Sequence, residues 1–446
     1  MQAEPEVSPV PGERARWTGL AVAAALVAAA MAIPPALDWN VHINTFPPIY
    51  ADWEPRVGPG TAPAILIALL GTLYAARLAR SLSWGRLLIA TWALGVAWML
   101  ALATVDGTGG ISHILNSYNE YLRTARATHD LHHTLQIYVS RIPFDSPDNW
   151  PAHLAGHPPG ALTFFVVLVR LGLGSGFAAG MVITLIAATT ALAVMTTLRA
   201  LGAEELARTA APFLVLGPVA ITQCVSADAM FAAVAAWGMA TLALAATRTS
   251  TRAMLAYSVL SGVLLGYTVM LSYGLPLLAL LALVVLGLAG SFKPLLPAAV
   301  AALAVMLLYA ALGFNWLDAF HTLHNRYWDG VAHKRPGIYW NWADLSALLC
   351  CTGLLAGAGV AQVAVRRHDT DPQVRVVTRL AATGVLMVLL ADASQMSRAE
   401  VERIWLPFAP WILLGCALLP ERWRRWGLAL QVLSALVLVH LLHEAW

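Results

Sequence analysis

Long apolar runs separated by short polar connections dominate this chain. The hydrocarbon core of a bilayer needs about 20 predominantly apolar residues per helix, and the sequence supplies such a run many times. We place the predicted spans near residues 17–37, 62–78, 87–104, 177–195, 207–221, 229–246, 253–270, 275–288, 295–313, 345–365, 376–391, 404–419 and 427–442. The pattern predicts an all-α, polytopic membrane helical bundle with about thirteen transmembrane helices.

One further apolar stretch, residues 160–173, is too short for a full crossing. Two prolines, Pro158 and Pro159, stand directly before it. Because irregular backbone at membrane depth is tolerated where it lines a cavity, we expect this stretch to enter the bundle without changing sides.

Composition agrees with the membrane class. The chain has 446 residues, of which 59% are hydrophobic and 11% charged, whereas a soluble domain carries about 25% charged residues. The net charge of +3 is small and indicates no nucleic-acid partner. The four cysteines have no metal-site spacing, and we interpret them as buried thiols. The cytoplasmic loops carry no nucleotide-binding pattern.

Arginine clusters predict the orientation. Putting the clusters around Arg16, Arg80, Arg199, Arg252 and Arg366 on the cytoplasmic side satisfies the positive-inside rule. The chain then divides into a disordered cytoplasmic N-terminus (residues 1–16), an N-terminal helical hairpin (17–86), and a main transmembrane domain (87–446). The main domain has long loops at 105–158 and 314–342. We therefore expect a multi-pass plasma-membrane protein whose chemical face is extracytoplasmic.

The loop at 105–158 concentrates the ionisable side chains. It contains five acidic residues and six histidines, and it closes with His157-Pro158-Pro159-Gly160. The acidic residues are Asp106, Glu120, Asp130, Asp145 and Asp148. Carboxylates and imidazoles gathered in one loop of a membrane protein indicate chemistry or a polar ligand.

Three short motifs resemble the C-superfamily (GT-C) membrane glycosyltransferases, which use polyprenyl-phosphate sugars and include protein mannosyltransferases and aminoarabinose transferases. The first joins Tyr118-Asn119-Glu120-Tyr121-Leu122 to the His157-Pro158-Pro159 string. The second is Ser226-Ala227-Asp228-Ala229, and the third is the segment from Glu402 to Pro410. They occur in the family's order between residues 87 and 419, which makes residues 17–86 an N-terminal addition.

The resemblance implies an inverting, base-assisted transfer to an acceptor. It makes Glu120 the leading catalytic base and turns Asp228 toward the site. Asn119 stands where the family usually has an acidic residue, which leaves Asp106 and Asp130 as rival carboxylates. The pair Asp52 and Glu54, in the loop after the first helix, ranks second.

Other residues are candidates for binding substrates. The leaving phosphate needs cations or hydrogen-bond donors, and the candidates are His157, Arg141, Arg123 and Arg403. We add Glu402, beside Arg403, and Tyr273, which interrupts an apolar stretch at an outer turn, although packing explains Tyr273 more simply. The implied partners are a lipid-linked sugar donor, membrane lipid, and a glycan, lipid or protein acceptor on the extracytoplasmic side.

No metal site is assigned, but a divalent cation stays possible. His129, His132 and His133 would share one face of a helix, although exposed histidines without a ligand are commoner. The aromatic segment 320–342, within the loop 314–342, is typical of an interfacial amphipathic helix and could also form a lid over the site.

Two alternatives to an enzyme remain open. One is a transporter or flippase of a lipid-linked or polar substrate, and the other is a non-catalytic family member. Few ionisable residues lie within the spans and no internal repeat is evident, which favours the enzyme over the transporter.

Overall fold

The computed structural model describes residues 12–44 and 46–444. In chain order the first elements are α1 (Glu13–Ala36), β1 (Ala51–Trp53), α2 (Thr61–Ser81) and α3 (Trp84–Ala103). The helix of the first predicted span, α1, begins at Glu13, four residues before the predicted start of that span. Residues 1–11 of the predicted disordered N-terminus lie outside the described residues. α1 packs against late helices, and α2 packs between α3 and the helices at 204–215 and 421–441.

The polar segment that follows α3 folds into short helical pieces. They are α4 (Gly109–Ser112), α5 (Tyr121–Ala127), α6 (Leu131–Gln136) and α7 (Ala152–Gly156), with 3-10 turns at Thr104–Asp106, Ile114–Asn116 and Val139–Arg141. The segment has an apolar interior, in which Trp150 and Tyr138 are almost fully buried. The loop is therefore a packed cap on the bundle.

The central part of the chain supplies many of the buried core residues. It comprises α8 (Gly160–Arg170), α9 (Gly176–Ala187), α10 (Thr189–Ala200), α11 (Glu204–Val215), α12 (Val219–Gln223), α13 (Ala227–Thr247) and α14 (Thr251–Leu271). α13 is rich in alanine and is buried along almost its entire length. Small side chains let neighbouring helices approach closely, and α13 packs against α9, α10 and α14.

The last part of the chain adds broken helices. They are α15 (Leu278–Ala289), α16 (Leu295–Ala311), α17 (Trp316–Asp329), α18 (Gly337–Thr352), α19 (Leu355–Val365), α20 (Pro372–Ala393), α21 (Val401–Ile404), α22 (Ala409–Leu413) and α23 (Glu421–Leu441), with 3-10 turns at Leu275–Leu277, Val331–His333 and Leu414–Leu418. A final strand, β2 (Leu442–Glu444), pairs antiparallel with β1. The all-α, membrane-type architecture is thus confirmed, apart from this one small sheet.

The predicted number of spans is not confirmed. Within residues 12–44 and 46–444, seven helices are long and apolar enough to cross a bilayer, or nine if two bent helix pairs each count as one span. Several predicted spans are short or broken: Pro218 follows the end of α11, and Gly353, at φ 79°, separates α18 from α19 at a bend of 104°. A left-handed φ is inexpensive for glycine. Residues 160–173, predicted to be too short for a full crossing, contain the 11-residue helix α8.

The polar loops meet at one end of the bundle. The backbone amide of Tyr50 donates to Glu402 (3.3 Å), and Arg335 Nε donates to the carbonyl of His42 (3.2 Å). Arg326, on α17, donates to the carbonyl of Trp150 (2.7 Å), so this amphipathic helix packs on the 105–158 segment. Loops that are far apart in sequence therefore share one polar surface.

Basic side chains gather at the other end. Arg208 on α11 donates to the carbonyls of Ala79 (2.9 Å) and Leu82 (2.8 Å) in the connection between α2 and α3. Arg80 lies 3.8 Å from Glu421 at the start of α23. These contacts join several of the arginine clusters that the sequence places on one side.

Candidate active site

Three buried charged side chains and one half-buried histidine, from four separate segments, form one contact network beneath the polar loops. They are Glu120 at the N-terminus of α5, His153 on α7, Asp228 in the first turn of α13, and Arg403 on α21. We refer to these four as the charged cluster. Glu120, Asp228 and Arg403 are each at most 4% exposed.

Arg403 is at the centre of the charged cluster. Its Nη1 lies 2.6 Å from Asp228 Oδ2, and its Nη2 lies 3.1 Å from His153 Nε2. Glu400 Oε2 is a third partner, 3.3 Å from Nη2. Taking an ion pair out of water is costly unless its partners are well placed, and here the guanidinium meets two carboxylates and an imidazole.

The contacts of His153 assign its proton. A guanidinium has only N–H donors, so His153 Nε2 must accept the hydrogen bond from Arg403. His153 Nδ1 therefore carries the proton and donates to Glu120 Oε1 at 2.8 Å. The neutral imidazole connects the cation to the carboxylate in a fixed orientation.

Glu120 is held ionised by this arrangement. Burial by itself raises the pKa of the Glu120 carboxyl, but the interaction with His153 and the charge of Arg403 outweigh it and leave the pKa below its ordinary value. Oε1 accepts from His153, while the buried Oε2 accepts no hydrogen bond from the described residues. The result is a buried carboxylate, one oxygen of which makes no hydrogen bond with the described residues.

His157 closes one side of the charged cluster. Its Nδ1 donates to the carbonyl of His153 (2.8 Å), which leaves Nε2 facing Asp228 Oδ1 at 4.0 Å. Burial lowers the pKa of His157 despite the nearby Asp228 carboxylate, so the neutral ring is favoured. The ring packs beside Tyr121 and Phe231, at centroid distances of 6.1 and 5.7 Å.

A close helix contact fixes the position of His157. The carbonyl of Gly160, at the start of α8, accepts from Tyr267 on α14 at 2.9 Å. A Cβ at Gly160 would lie 2.3 Å from the carbonyl oxygen of Met270. The glycine of the His157-Pro158-Pro159-Gly160 string therefore lets α8 lie directly against α14.

The backbone before Arg403 is strained. Ala399 and Glu400 both have left-handed backbone, at φ 68° and 64°, which costs energy for residues other than glycine. The amide of Ala399 donates to Asp344 Oδ1 (2.9 Å). Glu400 also accepts from Arg335 (3.2 Å), and the two arginines hold the pKa of Glu400 below its ordinary value although burial raises it. These contacts pay for a turn that aims Arg403 inward.

Glu402 lies apart from Arg403, although the two are neighbours in sequence. Its Oε1 accepts from the amide of Tyr50, and its side chain borders a space of about 10 Å³ beside Thr222 and Cys351. Burial raises the pKa of Glu402 to about 7. We interpret Glu402 as a buried acid next to the charged cluster.

The structure places the other acidic candidates in different surroundings. Asp106 pairs with Arg56 at 2.5 Å. Asp52 lies on β1 and accepts from Asn44 (3.2 Å), while Glu54 lies 3.5 Å from His443. These carboxylates belong to the region where β1 and β2 meet the polar segment.

The remaining candidates pack mainly against aromatic rings. The guanidinium of Arg141 lies 3.6 Å from the ring centroid of Trp150, and that of Arg123 lies 5.3 Å from the ring centroid of Tyr118. The Tyr273 ring packs against Trp316 and Phe320, in agreement with the simpler interpretation of that residue.

The predicted histidine face does not form. α6 begins at Leu131, and Asp130 caps it by accepting from the amide of His133 (3.0 Å), so His129 precedes the helix. Within residues 12–44 and 46–444, no three His, Cys, Asp or Glu side chains are grouped to hold a metal ion. The possibility of a divalent cation remains a prediction.

Three contributors were not assigned from sequence. His153 precedes His157 by four residues, a spacing that one helical turn would bring together. Glu400 precedes Arg403 by three residues, a spacing that one helical turn would also bring together. Arg335 is more than sixty residues away and had no signal in the sequence.

Comparisons of the chain with protein-family models, with curated proteins and with solved structures found no match.

Proposed function

We propose that this chain is a membrane glycosyltransferase that moves a sugar from a polyprenyl-phosphate donor to an acceptor hydroxyl, with inversion, on the extracytoplasmic side. The observation that carries the proposal is the charged cluster. Three residues singled out by separate motifs, Glu120, Asp228 and Arg403, lie in one hydrogen-bonded network. Their convergence is what a shared active site requires.

Glu120 acts as the base in this mechanism. Its Oε2, which accepts no hydrogen bond from the described residues, takes the proton of the acceptor hydroxyl while the hydroxyl oxygen bonds to the anomeric carbon. The bond between the anomeric carbon and the phosphate oxygen breaks, and the electron pair leaves with the polyprenyl phosphate. His153 and Arg403 keep Glu120 deprotonated and oriented.

The net charge of the network favours a general base over a phosphate-binding site. Arg335 and Arg403 contribute two positive charges, and three carboxylates face them, those of Glu120, Asp228 and Glu400. The resulting net charge of −1 would repel the phosphate of the donor. Arg403 therefore serves the carboxylates, and the donor phosphate needs a cation from outside the network.

Arg123 is suited to that role. It is exposed and lies in the first turn of α5, the helix whose N-cap residue is Glu120. Its guanidinium packs over Tyr118, which is also exposed. Arginine suits phosphate because its planar fork bonds two oxygens at once.

The lipid tail of the donor has a matching groove. An apolar groove of about 600 Å³ lies between α1, α18, α19 and α20, and Val22, Leu345 and Val360 are among its lining residues. Leu345 follows Asp344, which holds the amide of Ala399 just before the charged cluster. We propose that the lipid tail of the donor lies in this groove.

The test is transfer by membrane vesicles that contain the protein. Vesicles receive a panel of radiolabelled polyprenyl-phosphate sugars, and labelled product is counted against vesicles without the protein. We expect at least one donor to be consumed, and we expect Glu120→Gln to abolish the reaction. Glu421→Gln, at the opposite end of the bundle, is the matched control and keeps full activity. Equal donor turnover in wild-type and Glu120→Gln vesicles would refute the proposal.

A further inference from the structure

A second cavity, of about 310 Å³, lies outside the charged cluster. It is bounded by the end of α3, the short helix α4 and the β1–β2 region. Arg56, Asp106, His113, Ser117 and His443 supply its polar lining. Its volume is at the lower end of the range of small-molecule pockets, about 300 to 1,000 Å³, which suits a ligand the size of one sugar ring.

The electrostatics of this cavity favour a neutral ligand. Arg56 and Asp106 are the fully charged residues among its described lining residues, and they neutralise each other at 2.5 Å. The remaining polar groups, two imidazoles and a hydroxyl, each can donate or accept a hydrogen bond. A ligand with an uncompensated charge would find no counter-charge here.

The rest of the wall is apolar. Ile114, Ile221 and Leu442 face the cavity beside the polar groups. Hydrogen-bonding groups on one side and apolar side chains on the other match the two aspects of a sugar ring, whose hydroxyls lie at its edge and whose C–H groups form its faces.

One contact connects this cavity to the charged cluster, and a second connects it to the neighbouring Glu402. Ser117 lines the cavity, and its carbonyl accepts from the amide of Glu120 at 3.3 Å. On the other side, Ile221 lines both this cavity and the small space beside Glu402. A ligand in the cavity would therefore lie beside the turn that carries Glu120.

We propose that this cavity binds a neutral sugar residue of the acceptor, which makes the acceptor a glycan or glycolipid. The assignment of this sugar to the acceptor rests on the proposed function. Binding of the sugar to the cavity does not depend on transfer. Asp106 would accept hydrogen bonds from ring hydroxyls, and His113 would donate a hydrogen bond to one of them. Asp106, a rival base by sequence, thereby acquires a binding role.

The experiment measures binding in the absence of any donor. Purified full-length protein in lipid nanodiscs is titrated with methyl α-D-mannopyranoside, methyl α-D-glucopyranoside and methyl α-D-arabinofuranoside, and binding is followed by saturation-transfer NMR. His113→Trp fills the cavity from its exposed rim. His133→Trp, an exposed residue on α6 outside the cavity, is the matched control.

We expect saturable binding of at least one glycoside, weakened about tenfold or more, or about 1.4 kcal/mol, by His113→Trp and unchanged by His133→Trp. Absence of binding to the wild type, equal binding to both tryptophan variants, or displacement of the glycoside by inorganic phosphate would overturn the subsite. If a glycoside binds as expected but no donor is ever consumed, the proposed function fails alone. If transfer occurs and His113→Trp leaves the acceptor KM unchanged, the subsite fails alone.

Discussion

The contact between Asp228 and Arg403 gives the sharpest prediction about stability. Asp228 Oδ2 lies 2.6 Å from Arg403 Nη1, and both side chains are 3% exposed. Asp228→Asn keeps the shape and one hydrogen-bond acceptor but removes the negative charge. Arg403 then faces the interior with one of its counter-charges missing.

The magnitude follows from the burial of the pair. Two unit charges about 4 Å apart attract by about 4 kcal/mol at an effective dielectric constant of about 20. Measured losses on removing one partner of a buried pair are about 3 to 5 kcal/mol. Glu400 and Glu120 remain near the cation, so we expect Asp228→Asn to lower the free energy of unfolding by about 3 kcal/mol, at the low end of that range.

A double-mutant cycle isolates the pair. Unfolding of purified protein in detergent micelles is measured for the wild type, Asp228→Asn, Arg403→Met and the double variant. Asp318→Asn, on the exposed face of α17, controls for the amide substitution and should change stability by no more than about 0.5 kcal/mol. If the two single effects add to within about 0.5 kcal/mol in the double variant, the pair is not coupled and the reasoning is refuted.

Three further predictions concern proton position, pH and backbone strain. His153→Ala removes the hydrogen bond to Glu120, so the pKa of Glu120 rises and the acidic limb of the transfer rate moves to higher pH; an unmoved limb would contradict the assigned proton. Glu402 has a folded pKa of about 7 against 4.5 as its ordinary value, so its stability contribution is complete below pH 4.5 and is lost as pH rises through 7, a change of about 3 kcal/mol. That dependence should vanish in Glu402→Gln, and unfolding curves that keep it would exclude Glu402 as its source. Gly353→Ala would place an alanine at a left-handed φ, with its Cβ 1.9 Å from Gln431 Oε1. It should therefore destabilise the protein more than Gly172→Ala, because Gly172 has the same φ of 79° but no atom within 4 Å of the added Cβ. Equal thermal midpoints for the two variants would show that the contact at Gly353 does not matter.

The membrane class was predictable from sequence, whereas the number of spans was not. Apolar runs report hydrophobicity, and several of the runs do form long helices, among them α2 and α14. Hydrophobicity alone does not show where a helix bends. Pro218 and Gly353 interrupt runs that remain apolar overall, so the pattern predicts continuous spans where the helices are broken.

The centre of the candidate site was predictable because short motifs mark it. Glu120, His157, Asp228 and Arg403 were each selected from local sequence, and the structure brings them into contact or close approach. Residue type and position in the sequence do not show that the side chains of Glu402 and Arg403 point to different surroundings. Successive residues on a short helical turn point in different directions, and the direction depends on the left-handed residues before them.

The outer part of the network needed the tertiary structure. Arg335 reaches Glu400 from the connection between α17 and α18, and no periodicity relates the two positions. Arg141 and Arg123 look equivalent in sequence, yet the guanidinium Nε of Arg141 donates to the carbonyl of Asp148 while Arg123 is exposed. Which cation is available to a phosphate is therefore a property of the fold.

The role of Glu120 as the base is tested most directly by the turnover number of Glu120→Gln at saturating donor and acceptor. Glutamine keeps the oxygen that accepts from His153 but cannot take a proton. General-base catalysis contributes about 10² to 10⁴ in rate, so turnover should fall by that factor while the donor KM stays near its wild-type value. Turnover within tenfold of the wild type, in protein that is folded and binds donor normally, would contradict the account.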